Sequence, residues 1–173
     1  PLNMPKSASL TVAQPADTVH EPQVQHNPYG YMRQKSQEIA IGSLLVGGAQ
    51  PVRVELATTV PLADVEGTVA QIRALSVPTS PQTPVGEIVQ LQATTSADLA
   101  ALPQLHERCT ATELPVPLSL RLPMPLLQPG VSLPGIVKLI TAPQSEVTED
   151  LWKAQVERCV QLAEHAGIVL EWR

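Results

Sequence analysis

The side chains best suited to chemistry in this chain are few: two cysteines, four histidines, and the cations Arg121 and Lys138 on stretches that read as strands. Cys109 and Cys159 each close a Glu-Arg-Cys triplet on a helical stretch, with no second cysteine nearby. An iron–sulfur cluster takes several thiolates, usually four. Two isolated cysteines do not supply it, and both are expected to be buried, reduced thiols. His20 and His26 fall in a Pro- and Gln-rich N-terminal stretch and are expected to be solvated there. His106 and His165 fall on predicted helix surfaces, where a solvated or C-capping role is expected. Arg121 and Lys138 are the candidate anion ligands, opposed by Glu171 and Glu87. A diphosphate needs several convergent cations or backbone N–H donors, and this balance does not supply them. Lys138 is expected at a strand end with its ammonium in solvent. The glycines of VGGAQP (46–51) and GVSLPG (130–135) lie near strand ends without the spacing of a phosphate-cradling loop. No Ser–His–Asp order or carboxylate pair stands out, so catalytic, cofactor-binding and metal-binding residues are all expected to be absent.

The elements that must position these residues are built from an unusual palette. The 173 residues are 43% apolar, enough for one domain with a core, but only 2% aromatic and without phenylalanine. Leu, Val, Ile and Ala must therefore fill the interior. The 18 prolines predict many turns and strand ends. A net charge of −5 without a basic cluster argues against nucleic-acid binding. No apolar run reaches the ~20 residues of a membrane-spanning helix, and the N-terminus resembles neither a signal nor a transit peptide.

Residues 1–28 have no hydrophobic period and read as an extended arm; 29–173 read as the folded domain. QEIAIGSLLVGG (37–48) predicts a hairpin turning at Gly42–Ser43. PVRVELAT (51–58), EIVQLQAT (87–94), LPVPLSLRLP (114–123), GIVKLITAP (135–143) and IVLEW (168–172) predict strands. Between them lie a helix over Ala63 to Leu75, a helix capped by Ser96 and kinked or split at Pro103, and an irregular segment at MPLLQPGVSLP (124–134). A long helix capped by Thr148 and closed by Gly167 completes the set. Val65, Val69, Ile72, Val156 and Val160 are its predicted core-facing helix positions. Strands alternating with such crossovers form parallel βα units, either an open doubly wound sheet or part of a (β/α)₈ barrel.

The stretch IGSLLVGGAQPVRVELATTVPLADVEGTVAQIRAL (41–75), with the basic Arg33 and Lys35 before it, resembles the start of 4-hydroxy-3-methylbut-2-enyl diphosphate synthase, an enzyme family of isoprenoid biosynthesis. The hairpin glycines Gly42, Gly47 and Gly48, then Pro51 and DVEGTVAQIRAL (64–75), carry the resemblance. Further on it is a resemblance in the order of elements, reaching about 38–173 in register. It implies an incomplete TIM-barrel-like sheet of about five parallel strands, preceded by the hairpin and arm. The family grips a cyclic diphosphate with Arg, Lys and Asn at strand C-termini and reduces it with a four-iron cluster on a further domain. Here Gln90 stands for the second-strand Arg, and Arg121 and Pro123 for the third-strand Asp and His. Lys138 and Ile140 stand for the fourth-strand Arg and Asn, and Glu171 for the fifth-strand Arg. Leu56–Ala57 replace the first-strand Ser–Met, and only Thr58 persists.

With the scaffold kept and its cations replaced, the expected role is a non-catalytic relative of the synthase barrel, serving as a structural or scaffolding subunit. The alternative is the N-terminal part of a working synthase whose remaining barrel and cluster domain lie elsewhere. A small-ligand binder has no residue in the sequence to recommend it. The expected partners are other protein subunits, met by an edge strand or the open barrel face, with Trp172, Trp152, Ile168 and Leu170 as candidate anchors.

Overall fold

A computed structural model describes residues 36–82, 85–114, 116–128, 130–142 and 148–172. The arm at 1–28 lies outside the described residues, as do His20, His26, Arg33 and Lys35.

The first two strands, β1 (Ile39–Ile41) and β2 (Leu44–Val46), form the antiparallel hairpin read from the sequence. Its two-residue turn starts at Gly42, whose φ of 58° is open to glycine at little cost. A Cβ at Gly42 would press on Val137 at 3.3 Å and on Pro117, so the hairpin turn seats where two later strands begin.

The remaining strands are β3 (Glu55–Ala57), β4 (Ile88–Gln92), β5 (Leu118–Arg121), β6 (Ile136–Thr141) and β7 (Val169–Trp172). They lie in one parallel sheet in sequence order, β3-β4-β5-β6-β7. A doubly wound sheet reverses its order partway; this one never does, so the barrel alternative holds. With right-handed crossovers, sequential order places every helix on the same face. The strands are shorter than predicted because proline ends them: Pro117 precedes β5 and Pro123 follows it closely.

Helix α1 (Val65–Ser76) begins under Asp64, whose carboxylate accepts from the Gly67 N–H, and buries Val65, Thr68, Val69 and Ile72. Helix α2 (Ser96–Ala111) is capped by Thr95, one residue before the predicted Ser96. The Thr95 hydroxyl accepts from the Asp98 N–H while the Asp98 carboxylate accepts from the Thr95 N–H, a reciprocal capping box. Pro103 does not split this helix, which runs through it as one element. A single 3-10 turn at Met124–Leu126 replaces the crossover helix between β5 and β6. Helix α3 (Glu149–Ala166) starts under Thr148 and ends at Gly167 in the left-handed conformation, as predicted.

One core fills the space between sheet and helices. Val89 and Leu91 of β4, Leu118 and Leu120 of β5, and Leu139 of β6 meet Ile72, Leu102, Leu105 and Cys159 of the helices. Val65, Val69 and Ile72 are buried as predicted, Val156 is half-buried, but Val160 is 39% exposed. The reason is angular: α3 buries Cys159 and Ala163, and Val160 stands on its flank beyond them.

Candidate functional site

The other face of the sheet is polar, and it can be read in layers from the register. One layer runs Ala57, Gln90, Ser119, Lys138, Val169 across the five strands. The next, toward the strand C-termini, runs Gln92, Arg121, Ile140, Glu171 from β4 to β7.

Lys138 is the hub of the lower layer. Its Nζ donates to Glu55 Oε2 at 2.8 Å and to Glu171 Oε2 at 2.7 Å, and the Ser119 hydroxyl donates to the other Glu55 oxygen. β3 and β6 are three strand spacings apart, about 14 Å in a flat sheet. That distance is near the limit of an extended lysine and glutamate together, so the pair forms because the sheet curves with this face concave. A barrel wall has this curvature. The Lys138 side chain is only 6% exposed, which corrects the expectation of a strand-end lysine in solvent. It stands mid-strand, and desolvation there is tolerable only because two carboxylates face the ammonium.

Glu87, grouped with Lys138 in the sequence reading, belongs elsewhere. It precedes β4 at the N-terminal end of the sheet, accepts from Arg53 Nη1 at 2.7 Å, and accepts from the Val54 N–H. The Arg53 guanidinium and that backbone bond hold its carboxyl below the usual range. Of the four charges considered for one site, Lys138 and Glu171 come together, Arg121 stands one layer above Lys138, and Glu87 is remote. Leu56 lies on the helix side, against Gly86, and Thr58 is buried, its N–H donating to Gln90 O.

The C-terminal end of the sheet, where barrel enzymes place their chemistry, carries two clefts that share Gln92. One, of about 390 Å³, is lined by Thr58, Thr59, Val60, Gln92, Thr94 and Asp98. Its walls are fixed by side chains grasping backbone. The Gln71 carbonyl accepts from the N–H groups of Thr59 and Val60. Asp98, 4% exposed, accepts from Ala63 N at 3.3 Å, Thr94 N and Thr95 N at 2.9 Å, and both threonine hydroxyls. Burial pushes its carboxyl up, but the bonds from Thr94, Thr95 and Ala63 outweigh that and hold it below the usual range. Such a saturated, ionised carboxylate is a knot between the β3–α1 and β4–α2 loops, not a general base. The second cleft, also about 390 Å³, opens between β4, β5 and β6 and includes Arg121, Pro123, Met124 and Thr141.

The remaining candidates stay apart from both clefts. Cys109 and Cys159 are buried, and burial pushes both thiols up, against a small opposing effect of Arg158 on Cys159. Neither has the lowered pKa of a reactive cysteine. Cys159 points its Sγ at Met124 Sδ, 3.3 Å away. His106 is exposed on α2, against Gly135, and His165 lines a groove between α3 and Leu127, Gln128 and Gly130. No cluster of three or more His, Cys, Asp or Glu suited to a metal occurs among the described residues. Trp152 and Trp172 meet edge to face, centroids 6.5 Å apart, and stay 40% and 36% exposed at the β7 edge. Ile168 and Leu170 beside them are half-buried against the core.

Sequence reading missed Glu55, Ser119, Gln71 and Asp98. Asp98 had a signal, the Thr-x-x-Asp spacing of a capping box. Glu55 and Ser119 had none, because partners 64 and 83 residues apart meet only through sheet order and curvature. No protein-family model matches the chain. Among the described residues, no helix is long and apolar enough to cross a membrane.

Proposed function

We propose that this chain is a non-catalytic relative of the 4-hydroxy-3-methylbut-2-enyl diphosphate synthase barrel and serves as a structural subunit that docks onto other protein. The observation carrying this reading is the state of Lys138. It is the one cation kept where the family's strand-end cations fall, and its charge is already taken by Glu55 and Glu171. Releasing it to a diphosphate would leave two carboxylates facing that ligand, an arrangement that repels a polyanion. Gln90 in the same layer is neutral, and Glu171 in the next is acidic.

The docking surface is the β7 edge. Among the described residues, β3 and β7 each have one strand neighbour, so a sheet edge borders the exposed Trp152, Val160 and Trp172. Trp152 and Trp172 are the only two tryptophans in the chain, so tryptophan fluorescence reports on this flank alone. Titrating methylerythritol cyclodiphosphate into the protein is expected to give no saturable heat, and purification with candidate partners is expected to blue-shift the tryptophan emission. Diphosphate binding with a dissociation constant near a micromolar, about −8 kcal/mol, would overturn the non-catalytic reading. Loss of association in Trp172→Ala, with the fold intact by circular dichroism, supports the docking surface; unchanged association removes it.

A further inference from the structure

The cleft between the ends of β4, β5 and β6 has the composition of a small-molecule site. Its volume of about 390 Å³ lies in the range of ligand pockets, which combine apolar walls with a few placed polar groups. Pro123, Met124, Pro125 and Ile140 supply the apolar walls. Arg121 supplies the charge: it is exposed at the cleft, and among the described residues its side chain has no ion-pair or hydrogen-bond partner. Gln92 stands beside it in cross-strand register. Thr141 borders the cleft as well, but it follows Ile140 along β6 and pairs with Trp172, so its side chain is turned to the helix layer and not to Arg121.

We propose that this cleft binds a small organic monocarboxylate with an apolar body. The Arg121 guanidinium takes the carboxylate through charge-assisted, bidentate hydrogen bonds, and the Gln92 amide adds a donor. The apolar body lies on Pro123, Met124 and Ile140. Charge sets the class. The cleft offers one guanidinium, Glu171 lies two strands away in the same layer, and Lys138 is held by its carboxylates. A single negative charge is matched and a diphosphate is not. This inference goes beyond the scaffolding role and does not rest on it, because docking at the β7 edge and occupancy of this cleft are measured separately.

The test is a titration of the full chain, followed by amide chemical shifts, with three probes: 4-methylpentanoate, its neutral counterpart 4-methylpentan-1-ol, and pyrophosphate. The carboxylate is expected to saturate with a dissociation constant of about a millimolar or tighter, shifting residues at 92, 121 and 140–142. The alcohol, which loses the charge-assisted contact, and pyrophosphate, which loses the apolar contact and brings charge that one guanidinium does not match, are each expected to bind at least about tenfold more weakly. Arg121→Gln, an exposed position, is expected to lose about tenfold in affinity for the carboxylate, while Arg73→Gln on the exposed side of α1 leaves it unchanged. Absence of saturable carboxylate binding, undiminished binding by Arg121→Gln, or tighter binding of pyrophosphate would each overturn the assignment.

Discussion

Replacing Asp98 should loosen the C-terminal end of the sheet more than any other single polar change there. In Asp98→Ala the backbone N–H groups of Ala63, Thr94 and Thr95 lose the carboxylate that satisfies them, and two threonine hydroxyls lose an acceptor. A buried donor left unpaired costs about 1–3 kcal/mol, and a bond to a charged group contributes about 1.5–3. These values do not add, because the freed loops swing toward water and recover part of the loss. A total of about 3–4 kcal/mol follows, comparable to losing a helix cap and a buried network together. For a domain of this size that lowers Tm by roughly 6–16 °C. Asp98→Asn should cost about half as much, since its carbonyl can keep the Thr94 and Thr95 donors while its amide faces the Ala63 N–H. The pH dependence has a definite sign. The folded-state carboxyl is held below its ordinary value, so its stabilisation is present above the unfolded pKa, about 3.9. It is lost as pH falls through the lower folded value. Urea denaturation of wild type and Asp98→Asn at neutral pH and near pH 3 should therefore show a gap that narrows in acid. A Tm within about 2 °C of wild type for Asp98→Ala, less than ~1 kcal/mol, would refute the knot. So would a gap independent of pH.

Other consequences follow from the same structure. Lys138→Met removes the cation between Glu55 and Glu171 and should cost about 3 kcal/mol, at the lower end for a broken buried pair, because the glutamates are 20% and 32% exposed. Adding Glu55→Gln should restore part of that loss, and a double-mutant cycle with no coupling would show that the ion pair does not form. Thr141→Val should raise stability by about 1 kcal/mol, since it removes a buried hydroxyl that has no partner; a loss in chemical denaturation would mean that the hydroxyl is bonded. Cys109 and Cys159 should resist a thiol-specific disulfide reagent in the native protein and react on unfolding, because both are buried with raised thiol pKa. Rapid native labelling would contradict this.

The sequence by itself determined the alternation of elements, the hairpin at Gly42, the caps at Thr148 and Gly167, and the missing helix after β5. Each is legible because its cause is local: a glycine where φ must be positive, a short polar side chain at a helix start, prolines where a crossover would run. The buried side of the first helix was legible too, since Val65, Val69 and Ile72 repeat at helical spacing. The polar face was not. Whether Lys138 meets water or carboxylates depends on β3, β6 and β7 sharing one curved sheet, and no spacing along the chain encodes that meeting. Nor did the sequence separate Glu87 from Glu171. Both lie close to strands rich in apolar residues, yet one precedes β4 and pairs with Arg53, while the other lies near the end of β7 and pairs with Lys138. Position along a strand decides which end of a parallel sheet a charge occupies, and the register between strands decides what it meets. Both are set only when the whole sheet has formed.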